Sequence, residues 1–126
     1  MEAEENQPDV KEVLFPSFAE KKLVVIGGDR RHDATQYLQS LLPQTVDFTW
    51  LDVASSNGSN ARQSLKKSIE NGGVDALIII KKFISHSVTE PLKAALKENP
   101  QCKSAMAKGY GKAQLKLALE LLADQL

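Results

Sequence analysis

Two short runs with no polar interruption constrain this chain more than anything else in it. They are Leu23-Val24-Val25-Ile26 and Ala76-Leu77-Ile78-Ile79-Ile80. Such runs are too short for buried helices and lack the alternation of a half-exposed strand, so they are expected to be strands covered on both faces. Each gives way abruptly to polar residues, and a segment with helical spacing follows. A buried strand leading into a helix, repeated, implies a parallel sheet with helices packed on both sides.

Taken in order, the pattern repeats four times. After Leu23–Ile26 comes a helix over about Asp33–Leu42. Ala34, Tyr37, Leu38, Leu41 and Leu42 make one apolar stripe there, and Pro43 stops it. Val46–Val53 is expected as a second strand, with Val46, Phe48 and Trp50 on one face and Thr49 and Leu51 on the other. A small polar loop follows, and Ser59 or Asn60 is the expected cap of a helix carrying Ala61, Leu65 and Ile69. Asn71-Gly72-Gly73 ends that helix. Asp75–Ile80 is the third strand. The helix after it contains Pro91, which is expected in the first turn, where a missing N–H costs least. Cys102–Ala107 makes a weak fourth strand. A last helix then carries Leu115, Ala118, Leu119, Leu122 and Leu126. The expected fold is a three-layer, Rossmann-like α/β domain: a four-stranded parallel sheet in the order 2-1-3-4, with helices on both faces.

Composition sets the outer bounds. At 126 residues and 42% hydrophobic content the chain fits one domain with a modest core. No apolar run approaches the roughly 18 residues of a membrane span. The acidic start Met1-Glu2-Ala3-Glu4-Glu5 lacks the apolar core of a signal peptide, so a cytoplasmic protein is expected. Cys102 is the lone cysteine, which excludes an internal disulfide and gives no cysteine-based metal site. Charge is uneven. Residues 1–20 carry six acids against Lys11, a balance of −5, which leaves +5 for the remainder of a chain that is neutral overall. Residues 1–19 are read as an acidic, partly disordered arm, and residues 20–126 as the domain. Within the arm, Val13, Leu14, Phe15 and Phe18 are apolar and are expected to dock, on their own domain or on a protein partner.

In an open parallel sheet, ligands bind beyond the carboxyl ends of the strands, where the strand order reverses. Here that point lies between the first and third strands. The first contributes Gly27, Gly28, Asp29, Arg30, Arg31 and His32; the second Asp52; the third Lys81, Lys82, Ser85 and His86; the fourth Lys108, Gly109, Tyr110, Gly111 and Lys112. The glycines permit close approach of backbone to ligand. The spacing is neither G-x-G-x-x-G nor a Walker A loop, so no nucleotide motif is present. Six cations converging on one rim attract phosphate, whether of a small molecule or of a nucleic-acid backbone, and Tyr110 offers a ring for stacking. His32 and His86 with Asp29 or Asp52 are the candidates for acid/base chemistry. Without a Gly-x-Ser-x-Gly elbow, Ser85 has no nucleophile signature. The third strand ends in Lys81-Lys82 rather than an aspartate, which excludes a phosphoacceptor receiver domain.

Three short motifs resemble a known group. Val25-Ile26-Gly27-Gly28-Asp29-Arg30-x-His32, then Ile84-Ser85-His86, then Lys108-Gly109-Tyr110-Gly111 ahead of a leucine-rich helix are similar to the pattern of an uncharacterised family of small bacterial Rossmann-like domains. The resemblance covers residues 21–126. It implies the same fold and singles out Gly27, Gly28, Arg30, His32, Ser85, His86, Gly109 and Gly111, but it supplies no reaction. Two departures stand out. Lys81-Lys82-Phe83 replaces residues that are more often small or polar in the family, and the fourth strand is unusually polar.

Three functions follow as expectations. The first is a non-catalytic module that binds a phosphate-bearing ligand, nucleic acid included, in a cationic cleft, without a metal. The second is an interaction subunit that docks on a protein through residues 13–18. The third is a histidine-dependent hydrolase or phosphoryl-transfer enzyme.

Overall fold

The computed structural model describes residues 15–27, 32–52, 58–80 and 86–126, and of residues 32, 52, 58–62 and 86–89 the backbone alone. A short 3-10 turn, Pro16–Phe18, leads into β1 (Lys22–Gly27). The chain continues as α1 (His32–Leu41), β2 (Asp47–Asp52), α2 (Gly58–Glu70), β3 (Ala76–Ile80), α3 (His86–Glu98), β4 (Lys103–Ala107) and α4 (Lys112–Ala123).

All strand pairings are parallel and the order is β2-β1-β3-β4, as the alternation of strands and helices predicts. Val25 sits between Trp50 on one side and Ile78 on the other. The two uninterrupted runs are therefore the central strands. All five residues of β3 are buried, as are Leu23–Gly27 of β1.

Alternation along each strand divides the core in two. Leu23, Val25, Ala76, Ile78 and Ile80 face α1 and α4, where Leu38, Leu42, Leu115 and Leu119 close over them. Val24, Ile26, Leu77 and Ile79 face the opposite layer, packing with Leu65 and Ile69 of α2 and Leu92 and Ala95 of α3. Fully burying each such side chain contributes about 1.5–3 kcal/mol. Phe48 and Trp50 of β2 fall on the first face and Leu51 on the second, as period two requires. Phe15 and Phe18 are buried, 7% and 0% exposed, against the α1–α4 face with their rings edge to face. Phe15 and Phe18 of the apolar cluster thus dock on their own domain, while Val13 and Leu14 lie outside the described residues.

Three local expectations are corrected. Pro91 is the sixth residue of α3, not in its first turn, because the helix already begins at His86. It removes one helical hydrogen bond in the second turn, close enough to the start that the helix continues. Ser59 and Asn60 lie inside α2, which begins at Gly58, so neither is its cap. Leu126 is 39% exposed, because α4 ends at Ala123 and the stripe ends with Leu122. The stop of α2 follows its sequence. Gly72 adopts φ 76°, the left-handed conformation open to glycine, and Gly73 donates its N–H to the Ser68 carbonyl at 2.7 Å.

Among the described residues no helix is long and apolar enough to cross a membrane.

Candidate functional site

The sheet order fixes where a ligand crevice falls. β1 and β3 are neighbours, yet the chain leaves β1 through α1 on one face and β3 through α3 on the other. In open parallel sheets, the place where successive connections go to opposite faces is where ligands bind, beyond the carboxyl ends of the strands.

Gly27 closes β1 at this point and is buried. A Cβ built on it would lie 3.3 Å from Ile80 Cδ1 and 3.4 Å from Ile80 Cβ. The missing side chain is therefore already demanded by the neighbouring strand, before any ligand is considered. His32 and His86 are the first residues of α1 and α3, and Asp52 the last of β2, so the backbone of all three stands at the carboxyl edge. Their side chains lie outside the described residues, as do Gly28, Asp29, Arg30, Arg31, Lys81, Lys82 and Ser85 in full.

The β4–α4 turn completes this edge. Lys108, Gly111 and Lys112 are exposed, Gly109 is buried and Tyr110 is half-buried. Gly111 precedes α4 with φ −58° and no side-chain cap, and its carbonyl accepts the Leu115 N–H at 3.0 Å. A Cβ on Gly111 would meet only Gln114, no nearer than 3.6 Å. Neither crowding nor backbone conformation calls for a glycine there.

Five residues join the site that the sequence did not single out for it. The Tyr110 ring stacks on Trp50 with centroids 5.7 Å apart and planes 23° from parallel. Lys112 Nζ stands 5.5 Å from the centroid of the Tyr37 ring, within cation–π range. The single tryptophan and both tyrosines of the chain thus take part in contacts on the α1–α4 side of this edge. Asp33 and Ala34 join Tyr110 and Lys112 around a small cavity of about 80 Å³. Beside Ala34, in the first turn of α1, Thr35 is 2% exposed. Among the described residues nothing hydrogen-bonds to its Oγ1. A buried hydroxyl without a partner costs about 1–3 kcal/mol, and most native hydroxyls so placed are satisfied. The one sequence signal for Thr35 is a hydroxyl residue directly beside the α1 stripe, soon after the Gly27-Gly28 pair.

Among the described residues no group of three histidine, cysteine or carboxylate side chains is placed to hold a metal ion.

The chain matches no family model, no curated protein and no solved structure.

Proposed function

We propose that this chain is a non-catalytic binding module whose carboxyl edge takes a phosphate-bearing ligand, with a nucleic-acid backbone as its first candidate. The observation that carries this reading is Thr35. A hydroxyl 98% removed from solvent and without a partner among the described residues stands in the first turn of α1, at the switch point of the sheet. Ligand oxygen supplies the partner it lacks. N–H groups at a helix start favour the same negative charge.

Charge supports the reading. Lys108 and Lys112 are exposed at this edge, and Arg30, Arg31, Lys81 and Lys82 follow β1 and β3 directly in sequence. Guanidinium and ammonium groups from three connections would neutralise several phosphates at once, and the release of their counterions would drive binding. Gly28, Gly109, Ser85, His32 and His86 occupy the same connections and are candidates for backbone and hydrogen-bond contacts. The Trp50–Tyr110 stack supplies aromatic surface for a base beside the phosphate. Each role is one of binding and orientation, and none requires a bond in the ligand to break.

The only tryptophan of the protein makes the test direct. Trp50 fluorescence is followed while a single-stranded oligonucleotide is added at several salt concentrations. Affinity should fall steeply with salt, and reversing two charges in Lys108→Glu/Lys112→Glu should weaken binding at least about tenfold at low salt. Thr35→Val should weaken binding while leaving stability unchanged or raising it by about 1 kcal/mol, and Thr35→Ser should restore binding. Binding that ignores salt, or no binding to the oligonucleotide, removes the nucleic-acid reading. A Thr35→Val protein that is less stable than the parent shows the hydroxyl to be structural.

A further inference from the structure

The outer face of α4 carries apolar surface that the site does not use. Leu117 and Leu121, one turn apart, are 55% and 46% exposed. With Phe15, Glu120, Ala123 and Asp124 they line a shallow groove of about 530 Å³. Helix α4 already buries Leu115, Ala118, Leu119 and Leu122 on its inner side, so these two leucines are surplus to the core.

Phe15 says what covers them. It is 7% exposed, anchored in the core, and at the same time forms one wall of the groove. Residues 1–14 join the domain at that point. Leu14 and Val13 directly precede this wall in the chain, and each residue spans at most about 3.5 Å. No linker separates them from Leu117 and Leu121, so their effective concentration there is high. A second copy is a poorer occupant. Stable dimers bury about 800 Å² per partner, and two half-exposed leucines fall well short of that.

We propose that Val13 and Leu14 dock on the outer face of α4, against Leu117 and Leu121. This docking is independent of what the carboxyl edge binds.

Two experiments on the full chain test it. In a Cys102→Ala background, Leu14→Cys is paired with Leu121→Cys, or with Gln44→Cys as a control at another exposed site. Under mild oxidation the first pair should close an intramolecular disulfide at least about tenfold faster than the second, because docking raises effective concentration. Equal rates, or disulfides only between chains, overturn the proposal, and the latter assigns the patch to a second copy. In the second experiment Val13→Ser/Leu14→Ser and Leu117→Gln/Leu121→Gln are made separately and together. If the segments pack on each other, the fourfold variant should melt no lower than the less stable of the two double variants. Fully additive losses overturn the proposal.

Discussion

The two ends of the sheet are built on opposite terms. At the amino end the strand entries are closed by mutual hydrogen bonds. Asp75 Oδ2 accepts the Lys22 N–H at 2.8 Å, while the Asp75 N–H returns to the Lys22 carbonyl at 3.0 Å. The Asp75 carbonyl accepts from Lys103, and the Lys21 carbonyl from Asp47. Lys22 Nζ reaches both Asp47 Oδ1 at 3.2 Å and Thr49 Oγ1 at 3.0 Å. At the carboxyl end a buried hydroxyl stands without a partner among the described residues, and Lys108 and Lys112 are exposed. On the proposed reading, the ligand takes the end that has capacity to spare.

If this division is real, changes at the amino end should cost stability and leave binding alone. The largest effect expected is from Asp75→Ala, which removes a charged acceptor from a part-buried N–H. Urea unfolding should show a loss of about 2–3 kcal/mol. Oligonucleotide affinity should stay within about twofold of the parent, since the two sites are distant enough to be independent. A matching loss of affinity would erase the contrast between the ends.

A smaller effect should appear at high pH. Cys102, beside the entry to β4, is 4% exposed, and its thiol is pushed up to about 11 from 9.0. Burial is the main cause and the Asp75 carboxylate adds to it, against a smaller opposing pull from Lys103. The unfolded chain releases this proton near 9.0 and the folded chain holds it to about 11, so the unfolded state binds fewer protons in that window. Stability therefore falls as pH rises from 9 to 11, by about 1 kcal/mol at pH 10. Cys102→Ala should remove that portion of the alkaline decline in a series of unfolding curves. An unchanged decline would place its origin elsewhere.

The smallest effect sharpens the other end. Gly111→Ser places a capping hydroxyl at the start of α4, where a side chain has room. The melting curve should shift upward by a few tenths of a kcal/mol at most. Retained oligonucleotide affinity would show that the glycine is not needed for backbone approach. Lost affinity would make Gly111 part of the binding surface.

Much of the scaffold was legible in the sequence because its signals are local. An unbroken apolar run marks a central strand whatever lies elsewhere, and alternation of strands with helical stripes leaves few topologies. The errors also have local causes. Pro91 resembles a helix-start marker, yet α3 begins five residues before it. Ser59 and Asn60 have cap chemistry but fall inside α2. The site was legible only in part. The Lys108–Lys112 turn follows from strand order, so its place at the edge could be read. Trp50 and Tyr110 are 60 positions apart and meet only through the packing of β2 against the turn after β4. Thr35 has no distinctive neighbour in sequence, and what marks it is a missing partner that only packing reveals.

The clasp between Lys22 and Asp75 also bears on how the sheet can be assembled. It joins residues 53 apart, and closing a flexible loop of that length costs about 3.5 kcal/mol in chain entropy before any contact repays it. β1 emerges early from the chain but lies between β2 and β3, so it stays half-paired until β3 has been made and brought back. The pairing of β3 with β4 needs only near neighbours in the chain. The strand that ends in Gly27 is thus completed by a partner from the other half of the chain, and the carboxyl edge of the central pair cannot form before that long loop closes.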